Sequence, residues 1–447
     1  MPTSRASRFP IADLPVALVF VFGVALRVRH ILFVHDPRNF IHDNAKLYMG
    51  LAERIATPGH VDRPVDAFAP PGTAFLLSLF YARDPSLALA VRAMLVLAIL
   101  VPVVVGGLGW VAFGKTTGKI ALAISSVYFP FIDYGGYFLS ETPFTLLVAL
   151  TMLIFFFAIQ RRNPMSVLAG SLAAGVSASL AIAFKVVALP AMFCLVAAYV
   201  LFFRPPRADQ VPADHAPGAT RKLRMLAAVG VFVGALPLTA AMTVRCTRAS
   251  DGHVCFVCNK GPSDFLLGHY GRIERLAWNG PNAIWALSAS APQHGYKERP
   301  VVGFDVTDGP ANSAAAWRWI GAHPGEALVL SCEHVYDLFC GSLPVPGIDT
   351  ASWLAMESSH FAFLVFLLLP SLFLGFDLIK TWGFRSFLGS SEFLVGAPIL
   401  GLMAAVFIAT GEARYRIPFD PIFILLAIQF YKRCGAGIVD RTSARSR

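Results

Sequence analysis

Side chains that can do chemistry are unevenly spread along this chain. A first group lies in FVHDPRNFIHDNAKLYMGLAERI, residues 33–55, where His35, Asp36, His42, Asp43, Asn44 and Lys46 follow directly on an apolar run. Asp133 and Glu141 flank the short turn around YGGYFLSE, Lys185 separates two apolar runs, and Arg92 opens another. Glu412, Arg414, Tyr415, Arg416 and Asp420 crowd the stretch GEARYRIPFDP. Carboxylates can take or return a proton, and fixed Lys or Arg groups stabilise an anion best where water is scarce. Each residue also has a plainer explanation. A solvated loop aspartate is the simpler account of Asp43 on chemistry alone, and turn chemistry is that of Asp36 before Pro37. Glu141 follows Ser140 at a helix start, where a carboxylate is favoured anyway. The cations can be side chains snorkelling from helix ends to the interface.

The elements that must hold these groups are membrane helices. The 447 residues are 56% hydrophobic and 14% charged, against roughly 25% charged in a soluble domain. Apolar runs predict spans near 11–34, 87–113, 119–137, 142–160, 166–184, 187–203, 225–244, 353–376, 392–410 and 417–431, about ten helices. The first run is too long for the apolar core of a signal peptide, so it is expected to stay as an anchor. The net charge of +10 does not point to nucleic acid, because the basic residues fall in short segments between apolar runs. With the N-terminus in the cytoplasm, Arg5, Arg8, Lys115, Lys119, Arg161, Arg162, the basic residues of 204–224, Lys380, Arg385, Lys432 and Arg433 all share one side. The carboxylates and cations of the first paragraph then lie at or near the outer helix ends. A transporter more often places such groups near the bilayer midplane.

The expected architecture is an all-α integral membrane protein. Residues 1–244 form an N-terminal transmembrane module with a first outer loop at 35–86, residues 245–352 an extracytoplasmic cap, and residues 353–447 the C-terminal helices and a cytoplasmic tail. Within the loop, AFAPPGTAFLLSLFY (67–81) is too short to span and reads as a helix lying in the outer interface. The cap carries Trp278, Trp285, Trp317, Trp319 and Tyr336, and five of the seven cysteines: Cys246, Cys255, Cys258, Cys332 and Cys340. Such clustering points to an oxidising compartment. Disulfides are expected among Cys255, Cys258, Cys332 and Cys340, with Cys246 left over; the spacing does not suit a zinc ribbon.

Taken in order, HDNAKLYMGLA, APPGTAFLLSLF, Arg92 at a helix start, YFLSETPFTLL and GEARYRIPFDPIFILL resemble the GT-C superfamily of polytopic glycosyltransferases. They are most similar to the bacterial relatives of protein O-mannosyltransferases and lipid A aminoarabinose transferases. The resemblance implies a sugar donor carried on a polyprenyl phosphate and a cell-envelope acceptor, whether lipid, glycan or protein. It implies an active site on the extracytoplasmic face of the cytoplasmic membrane. It makes Asp43 the general base of an inverting transfer, with Glu141 a second functional acid. Arg414, Lys185, Arg416 and Arg92 become candidates for the donor phosphate, and Tyr415 and His42 for further substrate contacts. The family often has a second acid beside the first. Here the neighbours of Asp43 are His42 and Asn44, which disfavours a divalent cation bridging adjacent carboxylates. The competing expectation is a transporter or flippase of lipid-linked glycans.

Overall fold

The computed structural model describes residues 13–41, 43–204, 220–250, 252, 254–269, 309–341 and 350–445, with the backbone alone at 43 and 437–445. All regular elements among them are helices. Helix α1 (Leu14–Arg29) has Pro15 in its first turn and runs on through one π turn, His30–Val34. The first loop then supplies α2 (Asp43–Ala56) and α3 (Gly72–Tyr81), which starts directly behind Pro71. Helix α4 (Ala88–Phe113) stops at Gly114, whose φ of 92° favours glycine. Helix α5 (Lys115–Val127) gives way at Tyr128 to the short α6 (Phe129–Asp133), because Pro130 starts a new turn.

Beyond the YGGYFLS turn come α7 (Glu141–Ile159), α8 (Pro164–Phe184), α9 (Ala188–Leu201) and α10 (Arg221–Ala249). Asn163 and Thr220 cap α8 and α10 through their side chains. Next are α11 (Lys260–Gly268), α12 (Gly309–Ala322) and α13 (Pro324–Cys340), here termed the cap. Helix α14 (Thr350–Phe363) continues through a π turn into α15 (Leu369–Trp382); α16 (Phe384–Leu388), α17 (Ser391–Ile408), α18 (Ala413–Arg416) and α19 (Asp420–Arg445) complete the chain.

The protein is an all-α membrane protein. Seven stretches among the described residues are long and apolar enough to cross a bilayer: Leu14–Asn39, Ala88–Phe113, Glu141–Ile159, Pro164–Phe184, Arg221–Ala249, Thr350–Trp382 and Ser391–Ile408. The other expected spans fall short for local reasons. The one near 119–137 breaks at Tyr128, α9 has 14 residues, and α19 turns polar after Tyr431. All three still pack within the bundle, α5 on α4, α9 on α17, and α19 on α15.

Helix α7 is the centre of the bundle, with 72% of its apolar window buried against 22% for the first helix. In lipid, helices gain little from hiding apolar surface, so they join where small residues let backbones touch. Helices α8 and α10 do so at Gly175 and Gly234: a Cβ on either would come within 2.2 Å of a carbonyl oxygen, of Val231 or Leu172. Arg27 is a second joint. It is fully buried, and its guanidinium donates to the carbonyls of Gly23 and Ala98 at 3.0 Å, Ser125 at 3.0 Å and Ser126 at 2.5 Å. The last two carbonyls belong to the final turn of α5, left without helical partners by the break at Tyr128. Arg27 is therefore a strut joining α1, α4 and α5.

The disulfide pattern differs from the expectation. Cys246, in the last turn of α10, is bridged to Cys255, while Cys258, Cys332 and Cys340 are free thiols. Helix α10 extends to Ala249 and the chain turns straight back over it, with the Cys255 N–H donating to Thr247 Oγ1 at 3.3 Å. Cys332 and Cys340 lie on one helix, α13. Eight residues along a helix separate them by roughly 12 Å, too far to pair with each other.

Candidate active site

The start of α7 meets the end of α8 at one end of the bundle. Glu141 is the first residue of α7, where the helix dipole favours a carboxylate. Helix α8 stops at Phe184 and leaves Lys185 in extended backbone, with its Nζ 2.8 Å from Glu141 Oε1. The two side chains are 3% and 12% exposed, Glu141 the more buried. The short α18 brings Arg414 and Tyr415 to the same place. Lys185 Nζ lies 4.8 Å from the centre of the Tyr415 ring, and the Arg414 guanidinium carbon 5.7 Å from it. Arg414 forms an ion pair with Glu412, N···O 2.6 Å. Burial alone would push its guanidinium down, but Glu412 and Tyr415 carry it well upward, so it stays charged.

Four expected residues, Glu141, Lys185, Arg414 and Tyr415, are thus neighbours. Arg416 belongs elsewhere. It is fully buried, its Nε 2.9 Å from Asp420 and one terminal nitrogen 3.3 Å from both the Phe339 carbonyl oxygen and His360 Nδ1. Its guanidinium carbon sits 3.5 Å over the Phe363 ring, and Asp420 also accepts from Tyr128 Oη at 2.7 Å. This network ties α18 and α19 to α13, α14 and the α5–α6 joint. Arg92 is exposed on the second turn of α4, and among the described residues no hydrogen bond or ion pair links it to the cluster.

Asp43 is the first residue of α2, and His42 lies outside the described residues. The loop that carries them is tied to the turn before Glu141. His35 Nδ1 is 2.8 Å from the Gly136 carbonyl oxygen, and His30 Nε2 is 2.9 Å from Asp133. Asp36 is occupied by Arg38, with a closest N···O of 2.6 Å, which agrees with turn chemistry.

Tyr48, Tyr134 and Lys260 join the cluster without having been singled out in the sequence. Tyr48 is buried on α2, with its phenol pushed up to about 12 by burial and by the Glu141 carboxylate. Its hydroxyl meets Ser140. Tyr134 is buried among Glu141, Arg414, Asp133 and Glu412. Lys260 opens α11 and holds Asp264 at 2.6 and 2.8 Å. The available signals were weak: Tyr48 follows Asp43 on one short helix, and Lys260 comes just after the Cys-x-x-Cys.

Among the described residues, one group has the spacing of a metal site: His60, Asp62 and Asp66 in the first loop. Its carboxylates are already engaged. Asp66 pairs with Arg54 and Arg63, and Asp62 with Arg245 at 2.6 Å. Burial raises the Asp66 carboxyl, but the Arg63 backbone N–H and the Arg54 guanidinium more than offset this and hold it below the usual range. The donor set is that of an ion-pair network joining the loop to α10.

The fold has counterparts among known structures. Residues 75–246 match the profile of the dolichyl-phosphate-mannose-protein mannosyltransferase family. No curated protein matches the chain significantly. The archaeal oligosaccharyltransferase AglB from Archaeoglobus fulgidus, solved with an inhibitory peptide and a dolichol-phosphate, superposes with a TM-score of 0.50 at 14% identity, over 96% of this chain and 52% of that one. The apo form of the Archaeoglobus fulgidus oligosaccharyltransferase gives 0.50 at 15% identity, over 95% and 52%. A form tethered to an acceptor peptide containing the NVT sequon gives 0.50 at 13%, over 93% and 49%. The chain spans about half the length of these structures, and at such identities the likeness is one of fold.

The fold is shared with these oligosaccharyltransferase structures, and the family likeness covers residues 75–246. The segment similar to the dolichyl-phosphate-mannose-protein mannosyltransferases runs from α3 into α10. It contains Glu141 and Lys185 but stops short of Lys260 and Arg414.

Proposed function

We propose that this protein transfers a sugar from a polyprenyl-phosphate donor to a cell-envelope acceptor, on the extracytoplasmic side of the cytoplasmic membrane. The observation that carries this reading is the convergence of Lys185 and Arg414 around Tyr415 at the bundle end. Both cations are held by carboxylates, Lys185 by Glu141 and Arg414 by Glu412. A flexible snorkelling side chain has no such fixed partners.

The acceptor hydroxyl attacks the anomeric carbon as the bond from that carbon to the phosphate oxygen breaks. The phosphate leaves with the electron pair, and the proton passes to Asp43. Attack opposite the leaving group inverts the anomeric configuration. Lys185 and Arg414 stabilise the growing phosphate charge, which is effective in a site poor in water. Glu141, already paired with Lys185, is better suited to hold that ammonium than to take a proton. Arg416, spent on Asp420, His360 and Phe339, serves the scaffold.

The test is a transfer assay on purified protein in detergent with polyprenyl-phosphate sugars, alongside mass spectrometry of envelope lipids, glycans and glycoproteins with and without the protein. Turnover of such a donor supports the reading. Failure of the wild type to bind or use any of them, with the envelope unchanged, overturns it.

A further inference from the structure

The segment that follows α10 is held with unusual care. Cys246 and Cys255 are bonded, and Thr247 Oγ1 accepts from the Cys255 N–H. Two residues on, Val257 has φ 61° and is fully buried. A β-branched residue in that left-handed region is a true outlier, and such strain persists only where the surroundings over-determine it. The Asn259 N–H donates to the Ala67 carbonyl of the first loop at 3.1 Å. Gly309 backs onto the Asn259 side chain so closely that a Cβ there would meet it at 2.6 Å.

The residue so fixed is Lys260. Its ammonium is ion-paired with Asp264 and stands within electrostatic reach of Tyr415, Arg414 and Tyr48. Asp264 and Tyr415 raise its basicity well beyond what burial removes, so it carries its charge. Further along α11, Gly268 abuts the Ala409 carbonyl at the end of α17, which sets the helix against the segment leading to Arg414.

We propose that Lys260 is the cap's own contribution to the anion site: a third cation for the donor phosphate, placed there by the Cys246–Cys255 bridge acting as a positioning device. This rests on the transferase reading above. A phosphodiester donor carries one negative charge and the released phosphomonoester close to two, so a third cation matters most as the leaving group departs. Lys260 can exchange part of its Asp264 contact for a phosphate oxygen, with no bond made or broken in the protein.

The experiment measures binding of undecaprenyl phosphate to the full-length protein in detergent, with transfer kinetics beside it. Lys260→Ala should weaken binding roughly 10–100-fold, the value of a charge-assisted hydrogen bond, and Lys260→Arg should restore most of it. The Cys246→Ser/Cys255→Ser pair should lose affinity similarly, yet add little to Lys260→Ala in the triple variant, because both act on one contact. Thermal melting confirms that each variant is folded. If Arg414→Ala loses affinity while Lys260→Ala binds like wild type, the Lys260 assignment falls and the transferase reading stands. A fully additive triple variant removes the positioning role of the bridge. If the wild type does not bind the probe, both readings fall.

Discussion

Lys185 donates to Glu141 across 2.8 Å and thereby fastens the residue that follows one membrane helix to the first residue of its neighbour. A carboxylate so engaged and so buried has little capacity left to act as a base. Glu141→Ala, which strands a buried ammonium, should cost about 3–5 kcal/mol of stability, read as a lower melting temperature in detergent. Glu141→Gln should raise the donor KM more than it lowers kcat. A kcat collapse at unchanged KM would instead make Glu141 the proton-handling group.

Asp43 opens α2, on the same short helix as Tyr48. Asp43→Asn keeps size and most hydrogen bonding but removes basicity, so transfer should fall roughly 10²–10⁴-fold. Donor binding should survive. Near-normal turnover by this variant would remove Asp43 from the chemistry.

The two arginines of α18 should separate cleanly. Arg414→Ala is expected to lose donor affinity in a folded protein. Arg416→Ala breaks the Asp420 pair and should destabilise the fold by about 3–5 kcal/mol. Donor titration and thermal melting on both variants decide this, and equal donor loss without destabilisation in Arg416→Ala would contradict it.

Acid should loosen the cap. Burial, helped by nearby His269, pushes His334 down to about 4. The unfolded chain binds a proton there below about pH 6.5 while the folded one resists it, so this contribution to stability is lost as pH falls from about 6.5 towards 4, up to about 3 kcal/mol. Protection factors of the α13 amides, corrected for the intrinsic pH dependence of exchange, should fall between pH 7 and 4.5, and His334→Asn should flatten the response. Equal protection at both pH values in the wild type would refute it.

Peptide mapping without reduction should recover Cys246 joined to Cys255, with Cys332 and Cys340 alkylated in the native protein because both are exposed on α13. A Cys332 or Cys340 disulfide would contradict the arrangement.

Much of the site was legible because charge is conspicuous in an apolar chain. Glu141, Lys185, Arg414 and Tyr415 each stand at the edge of an apolar run, and those edges meet. What the sequence hid depends on direction. Nothing in the spacing of Arg414 and Arg416 says that one reaches the cluster and the other turns inward to Asp420. The bridge depends on where α10 ends, and a little over one further turn of helix, to Ala249, puts Cys246 beside Cys255 rather than apart from it. The strut at Arg27 is hidden in the sequence because its partners are backbone carbonyls, which no side-chain pattern reveals.

Those carbonyls have a consequence for how the protein is made. The partners of Arg27 outside its own helix lie 71, 98 and 99 residues downstream. The first helix must therefore leave the ribosome and enter the bilayer while its guanidinium has only the Gly23 carbonyl to bind, a costly state in hydrocarbon. Until α4 and α5 have been synthesised, that charge needs water or the insertion machinery beside it. Helix α1 is thus among the last to settle, and its seat is built by helices that arrive after it.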